Sequence, residues 1–356
     1  MNPTPSPAEI CRRLEKHVIG QPLAVRELSV ALAKKLAGLR VGNVLLIGAS
    51  GTGKTTLMRA VESFLAADAD LAVRSTVVRL HANVLGDEAE RGRAGEVVLS
   101  RLVERARDVL GAQSDWPTIR KRAGNGIAFI DEVDKIRSVV GDRPNVPGIR
   151  AQEALLTLME NEAVPFLRPD WAGGGMEEVD SSGVLFVCGG AFEGLFDAVY
   201  DRVTIGRDRG SLKSTTVVED GRMVEKQVFR LRDWLHPEDL FDYGMTPQFL
   251  ARFDAVVLLE PLGESELIKI FLEAPDSGLQ QTRAFFESRG LRFAISPAAV
   301  RRIARHAARQ PRLGARALRE AFRRVVRDLE FEPEVAARGG VVSVDEAEVV
   351  AALGES

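Results

Sequence analysis

Apolar and polar positions along the chain follow two regimes. Up to about residue 260, short continuous apolar runs recur. They are Asn43-Val44-Leu45-Leu46-Ile47, Val77-Val78-Arg79-Leu80, Gly126-Ile127-Ala128-Phe129-Ile130, Val184-Leu185-Phe186-Val187-Cys188 and Val256-Val257-Leu258-Leu259. The first, which stops at glycine, predicts a strand buried on both faces, as in a parallel sheet, and the others are further strand candidates. Helical spacing separates most of them. Strands alternating with helices predict a parallel sheet sandwiched by helices. From Ser265 to about Leu329 the spacing is helical, with breaks at Pro275, Gly290, Pro297 and Pro311. Val341-Val342-Ser343-Val344 is one late strand candidate. The change of regime places a domain boundary near residue 262, with an α/β domain over 1–262 and a small, mainly α-helical domain over 263–356.

At the N-terminus, Ser6-Pro7-Ala8-Glu9 is a capping-box pattern with proline at the first helical position, predicting a short helix that ends near His17. Val18-Ile19-Gly20-Gln21-Pro22 then breaks the chain, and a second helix is expected over Ala24 to Leu39. The segment from Asp201 to Trp234 is polar and poorly periodic, which predicts a long insertion or mobile loop.

Composition narrows the function classes. The 356 residues are enough for two domains with a sizeable core. With 51 acidic and 48 basic side chains the net charge is −3, which gives no global pull towards nucleic acid or anionic membrane. Cys11 and Cys188 are the only cysteines, too few for a disulfide framework or a Cys-rich zinc site. No secretory pattern precedes Glu9, and no apolar run approaches the ~20 residues that span a bilayer. A reducing, cytoplasmic location without membrane contact is expected.

Gly48-Ala49-Ser50-Gly51-Thr52-Gly53-Lys54-Thr55 matches G-x4-G-K-[ST], with a buried strand before it and a helix after. Glycines let backbone N–H groups turn inward as an anion nest, and the helix N-terminus adds partial positive charge. The nucleotide-binding set is therefore Gly48, Ser50, Gly51, Thr52, Gly53, Lys54, Thr55 and Thr56. Lys54 would reach the β- and γ-phosphates of ATP, and the Thr55 hydroxyl would bind Mg²⁺. Ile127 to Glu132 is a second buried strand ending in two carboxylates. Asp131 is the expected Mg²⁺ holder, and Glu132 the base that orients and deprotonates water. A second acid after the aspartate favours a hydrolase over a nucleotide-binding switch.

Together these segments resemble an AAA+ ATPase, and within that class the ClpX-type unfoldases. The resemblance runs through His17-Val18-Ile19-Gly20-Gln21, the phosphate loop, Ile127 to Lys135, Ala154-Leu155-Leu156, Leu185 to Phe192, Pro237-Glu238-Asp239-Leu240, Pro247 to Phe253 and Gly314-Ala315-Arg316. It covers about residues 9 to 346. It implies an α/β phosphate-loop domain followed by a helical lid, in a ring of identical subunits, a homohexamer, acting on a protein client or adaptor. It also implies that Val18 and Ile19 line the adenine pocket. Arg252 is then the arginine finger reaching the neighbouring subunit's γ-phosphate, a role worth roughly 10³–10⁵ in rate in other phosphate-loop enzymes. Arg316 is the second sensor, and the first-sensor position falls near Cys188, which reads better as a buried strand cysteine.

The sequence departs from the family in four places. No aromatic lies between Phe64 and Trp116, so the first pore loop, at Ala89-Glu90-Arg91-Gly92 or Gly92-Arg93-Ala94-Gly95, has no bulky grip. Trp171 falls where the second pore loop is expected, where it either grips or packs under Gly173-Gly174-Gly175; the family's basic cluster is missing there. The stretch near Arg209-Gly210-Ser211 carries no Ile-Gly-Phe-type tip, which argues against docking of a ClpP-type peptidase. The family's zinc-binding N-terminal segment has no counterpart. The leading reading is an ATPase remodelling a protein partner without a docked peptidase. One alternative is a non-threading regulatory ATPase. The other is a nucleic-acid motor, motivated by Arg301, Arg302, Arg305, Arg309, Arg312, Arg319, Arg323, Arg324 and Arg327. It ranks lower because no base-stacking aromatics interleave with them.

Overall fold

The computed structural model describes residues 4–68, 71, 76–90, 94–141, 143–160, 163–205, 213–219 and 222–354. The chain forms two compact units. One comprises the chain up to Ala37, Gly48–Leu71 and Leu259 onward; the other comprises Gly38–Ile47 and Ala72–Leu258.

The second of these units is built on a five-stranded sheet. Its strands are β1 (Asn43–Ile47), β2 (Val77–His81), β3 (Ile127–Asp131), β4 (Leu185–Gly190) and β5 (Phe253–Leu258), in the order β5-β1-β4-β3-β2. Every neighbouring pair is parallel. All the strands therefore end on one edge, where ligand-binding loops of open α/β sheets gather. The three central strands are buried at every residue. The edge strands are not: β2 buries Val78 and Leu80 and exposes Arg79 and His81, and β5 likewise mixes buried and exposed positions. Burial on both faces thus holds for the centre, and the edges alternate because less structure covers them. β5 also starts three residues earlier than its apolar run suggested. Asn43 explains part of this start. Its carboxamide Nδ2 donates to the Arg252 carbonyl at 2.9 Å, and its Oδ1 accepts from the Phe186 N–H at 3.1 Å. One side chain thereby ties β1 to both neighbours, where the β1–β5 register is irregular.

Three features of this unit lay beyond the apolar pattern. A hairpin pairs Val164–Leu167 with Met176–Val179, and a smaller one pairs Val139–Val140 with Arg143–Pro144. The segment 201–234, expected as a long insertion or mobile loop, carries an antiparallel ribbon, Lys213–Glu219 with Arg222–Val228. No continuous apolar run marks either strand in the sequence.

The other unit packs helices Pro7–Leu14, Pro22–Leu36 and Lys54–Ala66 at its N-terminal side. Ser6 caps the first by accepting from the Glu9 N–H at 3.2 Å. The reciprocal half of the expected box is absent, because Glu9 pairs with Arg13 at 2.7 Å instead. Beyond residue 259, helices Glu264–Glu273, Gly278–Ser288, Pro297–Ala308 and Ala315–Phe331 enclose Phe271, Phe286, Phe293 and Phe322. The late strand Val341–Val344 forms, and it pairs in parallel with Arg292–Ile295, a strand the helical spacing hid.

Candidate functional site

Gly48 directly follows the last residue of β1 in the chain, and Lys54 opens the helix Lys54–Ala66. Lys54 is buried, and its ammonium donates to the Gly48 carbonyl and to the Ala49 carbonyl, the latter at 3.0 Å. A buried ammonium needs such acceptors. These main-chain oxygens are the kind of partner that phosphate oxygens replace. Thr52 is buried and its hydroxyl donates back to Ala49 at 2.8 Å, closing the turn. Thr55 and Thr56 are exposed on the first turn of the helix.

The loop is held by the chain beyond residue 259. The Ala315 N–H donates to the Gly51 carbonyl at 3.1 Å. Gly51 has φ +73° and Gly314 has φ +48°. A Cβ on Gly51 would lie 2.2 Å from the Leu313 carbonyl oxygen, and one on Gly314 would lie 2.7 Å from the Gly51 oxygen. Only glycine fits both places. Arg316 sits exposed on the first turn of the helix begun here. Val18 is buried and Ile19 half-buried in the break between the first two helices.

Asp131 ends β3, is buried, and accepts the Glu132 N–H at 2.9 Å. Glu132 is half-buried and in the left-handed region, φ 60° and ψ 38°. Such a conformation is uncommon for a non-glycine residue and persists where its surroundings hold it. Asp134, 2% exposed, contributes by accepting the Ala191 N–H at 3.0 Å, joining the turn after β3 to the end of β4. The His81 ring lies 3.9 Å from the Glu132 carboxylate. Cys188 is fully buried in β4 between Leu45 and Ile130, and burial pushes its thiol pKa up. It is a packed strand cysteine.

Arg252 follows the short helix Pro247–Leu250 and is exposed. Its guanidinium pairs with Glu160, at the end of the helix Val146–Glu160. Buried Gln152 of that helix organises the approach. Its Nε2 donates to the carbonyls of Ile136 at 2.8 Å and Gly244 at 3.1 Å, while its Oε1 accepts from the Thr246 N–H at 2.8 Å. Gln152, Asn43, Asp134 and Glu160 escaped the sequence reading, because a lone polar residue in an apolar helix or strand signals only that a partner must exist.

Trp171 is packed on one side and exposed on the other. One side is packed: the Arg107 guanidinium lies over its ring at 4.2 Å, and Trp116 meets it edge-on at 6.0 Å. It is nonetheless 41% exposed, beside exposed Leu167 and Met176 of the hairpin. Trp116 itself donates from Nε1 to Glu177 at 2.6 Å. Of the two registers for the first pore loop, Arg91, Gly92 and Arg93 lie outside the described residues, while Ala89 and Glu90 end the helix Ala82–Glu90 and Ala94 and Gly95 begin the helix Ala94–Leu110; Arg209-Gly210-Ser211 also lies outside them. Of the helical arginines, Arg305 meets Glu264 at 3.2 Å and Arg327 meets Asp328 at 3.0 Å. No helix among the described residues is long and apolar enough to cross a membrane.

Comparison with known proteins bears on this arrangement. Residues 39–256 match the family model described as AAA domain (Cdc48 subfamily). The chain is 32% identical to the ATP-dependent Clp protease ATP-binding subunit ClpX 3 of Methylococcus capsulatus, over 92% of this chain and 76% of that protein. It is 30% identical to the ATP-dependent Clp protease ATP-binding subunit ClpX of Bacteroides thetaiotaomicron, over 92% of this chain and 77% of that protein. The ClpX of a Bacteroides fragilis strain matches to the same extent. With its parallel sheet in the order β5-β1-β4-β3-β2 and its glycine-rich loop following β1, this chain is an ATPase that belongs to the ClpX-like AAA+ family.

Proposed function

We propose that this ATPase works as a homohexameric ring that binds ATP with Mg²⁺ and couples its hydrolysis to remodelling or unfolding of a protein partner, without a docked ClpP-type peptidase. The reading is carried by a glycine-rich loop whose buried lysine already donates to two oxygens at the mouth of its helix, in a chain of the ClpX-like family.

The roles follow from chemistry. Gly48, Ser50, Gly51, Thr52 and Gly53 turn main-chain N–H groups towards phosphate, and Lys54 exchanges carbonyl oxygens for phosphate oxygens. Thr55, Thr56 and Arg316 complete the nucleotide contacts, with Val18 and Ile19 against the base. Glu132 accepts the proton of the attacking water, and its left-handed backbone sets the direction in which its side chain leaves the main chain. Arg252 stabilises charge on a neighbouring subunit's nucleotide. Until then its charge is offset by Glu160.

Thr55 and Asp131 suit Mg²⁺. Among the described residues no three His, Cys, Asp or Glu side chains form a protein-only cage. Mg²⁺ characteristically takes one or two protein groups and completes its shell with water and substrate phosphates. When bound it supplies charge that offsets the transferring phosphoryl group.

A second reading, a regulatory ATPase that does not thread its client, is favoured by the absence of any aromatic between Phe64 and Trp116. Half-exposed Trp171, backed by Arg107 and Trp116, weighs for client contact instead.

Glu132→Gln tests the assignment. This variant is expected to bind ATP, stay assembled and stop turning over. Imaging the ATP-trapped assembly would show its subunit number and any chain lying in the pore. Hydrolysis at the parent rate would remove Glu132 from its role. Co-purification of a barrel-shaped peptidase would overturn the peptidase-free reading.

A further inference from the structure

The phosphate loop has a support that lies outside its own glycine-rich motif. Gln21 precedes the second helix and is 3% exposed. Its Nε2 donates to the Thr52 carbonyl at 3.0 Å and to the Glu260 carbonyl at 2.8 Å. Its Oε1 accepts from the Glu260 N–H at 3.0 Å. Both donor hydrogens and one acceptor site are thus engaged within a buried site. The orientation of the amide follows, since a flipped carboxamide would set its NH₂ against the Glu260 N–H. The residue before it is equally constrained: a Cβ on Gly20 would come within 2.8 Å of Leu262 and 2.9 Å of Glu266. The 20–21 turn is therefore seated on the segment that follows residue 259.

We infer that Gln21 is a positioning residue for the phosphate loop, governing nucleotide affinity and turnover without touching nucleotide. The peptide unit is planar and trans, so its C=O and the next N–H point to opposite sides. Holding the Thr52 carbonyl from behind aims the Gly53 N–H away from Gln21. The Ala315 N–H holds the Gly51 carbonyl in the same manner and sets the direction of the Thr52 N–H, which here donates to the Ala49 carbonyl at 3.4 Å. Two successive peptide units at the centre of the loop are thereby oriented from their carbonyl sides. An anion nest binds well only when its N–H groups converge before the anion arrives, because ordering the loop on binding lowers affinity. Through the paired bonds to Glu260, the same carboxamide ties the loop to the chain entering the helices beyond residue 264.

This inference rests on the proposed role of the 48–55 loop, and its test separates the two. In the full chain, Gln21→Met keeps the length and removes both donors and the acceptor. Gln21→Glu keeps the acceptor towards the Glu260 N–H and turns an acceptor towards the Thr52 carbonyl. The measurements are ATP affinity by equilibrium titration, KM and kcat for hydrolysis, and hydrogen exchange over residues 49–54 without nucleotide. Both variants are expected to bind ATP about tenfold more weakly. KM should rise, kcat should fall, and exchange at 49–54 should quicken. If Gln21→Met does not fold, Gln21→Asn, one methylene short of Thr52, carries the same expectation. Parental affinity, KM and kcat with only a lower melting temperature would overturn the inference and leave Gln21 a structural residue. Lys54→Ala is measured alongside. If it binds ATP like the parent, the loop assignment itself fails. If it loses binding and the Gln21 variants do not, only the present inference fails.

Discussion

Replacing Gly51 with alanine tests whether the phosphate loop and the turn before Arg316 are built as one unit. Gly51 has φ +73°, a region that costs an L-residue about 1 kcal/mol. A Cβ there would stand 2.2 Å from the Leu313 carbonyl oxygen and 3.1 Å from the backbone nitrogens of Ala315 and Arg316. The first distance is over an ångström inside ordinary contact, and the obstacle is backbone, which cannot rotate away. Either the loop or the turn must move, and the bond from the Ala315 N–H to the Gly51 carbonyl goes with it. Losing that bond in a half-buried place adds about 1–3 kcal/mol. The expected total is about 3 kcal/mol. Gly38→Ala is the matched control: φ is +76° and nothing lies within 4 Å of the added carbon, so only the ~1 kcal/mol of backbone strain remains. Denaturant unfolding of both variants gives the comparison, with ATP titration as a second readout. Gly51→Ala should unfold at clearly lower denaturant and bind ATP more weakly, and Gly38→Ala should bind like the parent. Equal stability of the two variants would refute the claim that the turn's carbonyl confines the loop.

Two further outcomes follow from other residues. Arg252→Ala is expected to reduce hydrolysis in the assembled protein by roughly 10³-fold while ATP affinity stays within about twofold. Its pair with Glu160 is largely solvent-exposed, so denaturant stability should move by less than about 1 kcal/mol, and a parallel loss of fold would count against a catalytic role. Burial pushes Lys35 down to about 8 from its usual 10.5. Its folded-state pKa is below the unfolded one, so the unfolded chain holds the extra proton between these values and stability rises with pH from about 8 to about 10.5. Lys35→Met should flatten that rise and add roughly 2 kcal/mol at neutral pH, which unfolding curves at pH 7 and 10 would detect.

The architecture was legible where the pattern was one-dimensional. Val44–Ile47, Ile127–Ile130 and Leu185–Cys188 are buried on both faces, so continuous apolar character identified them directly. The glycine-rich loop after β1 and the acid pair Asp131-Glu132 at the end of β3 were equally legible as motifs, because each is a fixed set of residue types at fixed spacing. The polar ribbon within 213–228 and the strand Arg292–Ile295 were not. Their partners lie across a hairpin or far along the chain, and only pairing makes them strands.

Sequence by itself determined the ATPase class and the central strands of the sheet, and it marks Lys54, Asp131 and Glu132 as the residues of the proposed chemistry, since these depend on local composition and order. Tertiary structure decided what holds them. Gln21 gains meaning only beside Thr52 and Glu260, Asn43 beside Arg252 and Phe186, and Gly51 beside Gly314. A buried polar group must find a partner, but its identity is set by which distant backbone atoms the fold brings within about 3 Å. Trp171 shows the same division: its position suggested two roles, and its packing against Arg107 and Trp116 with one side still exposed is a property of the folded chain alone.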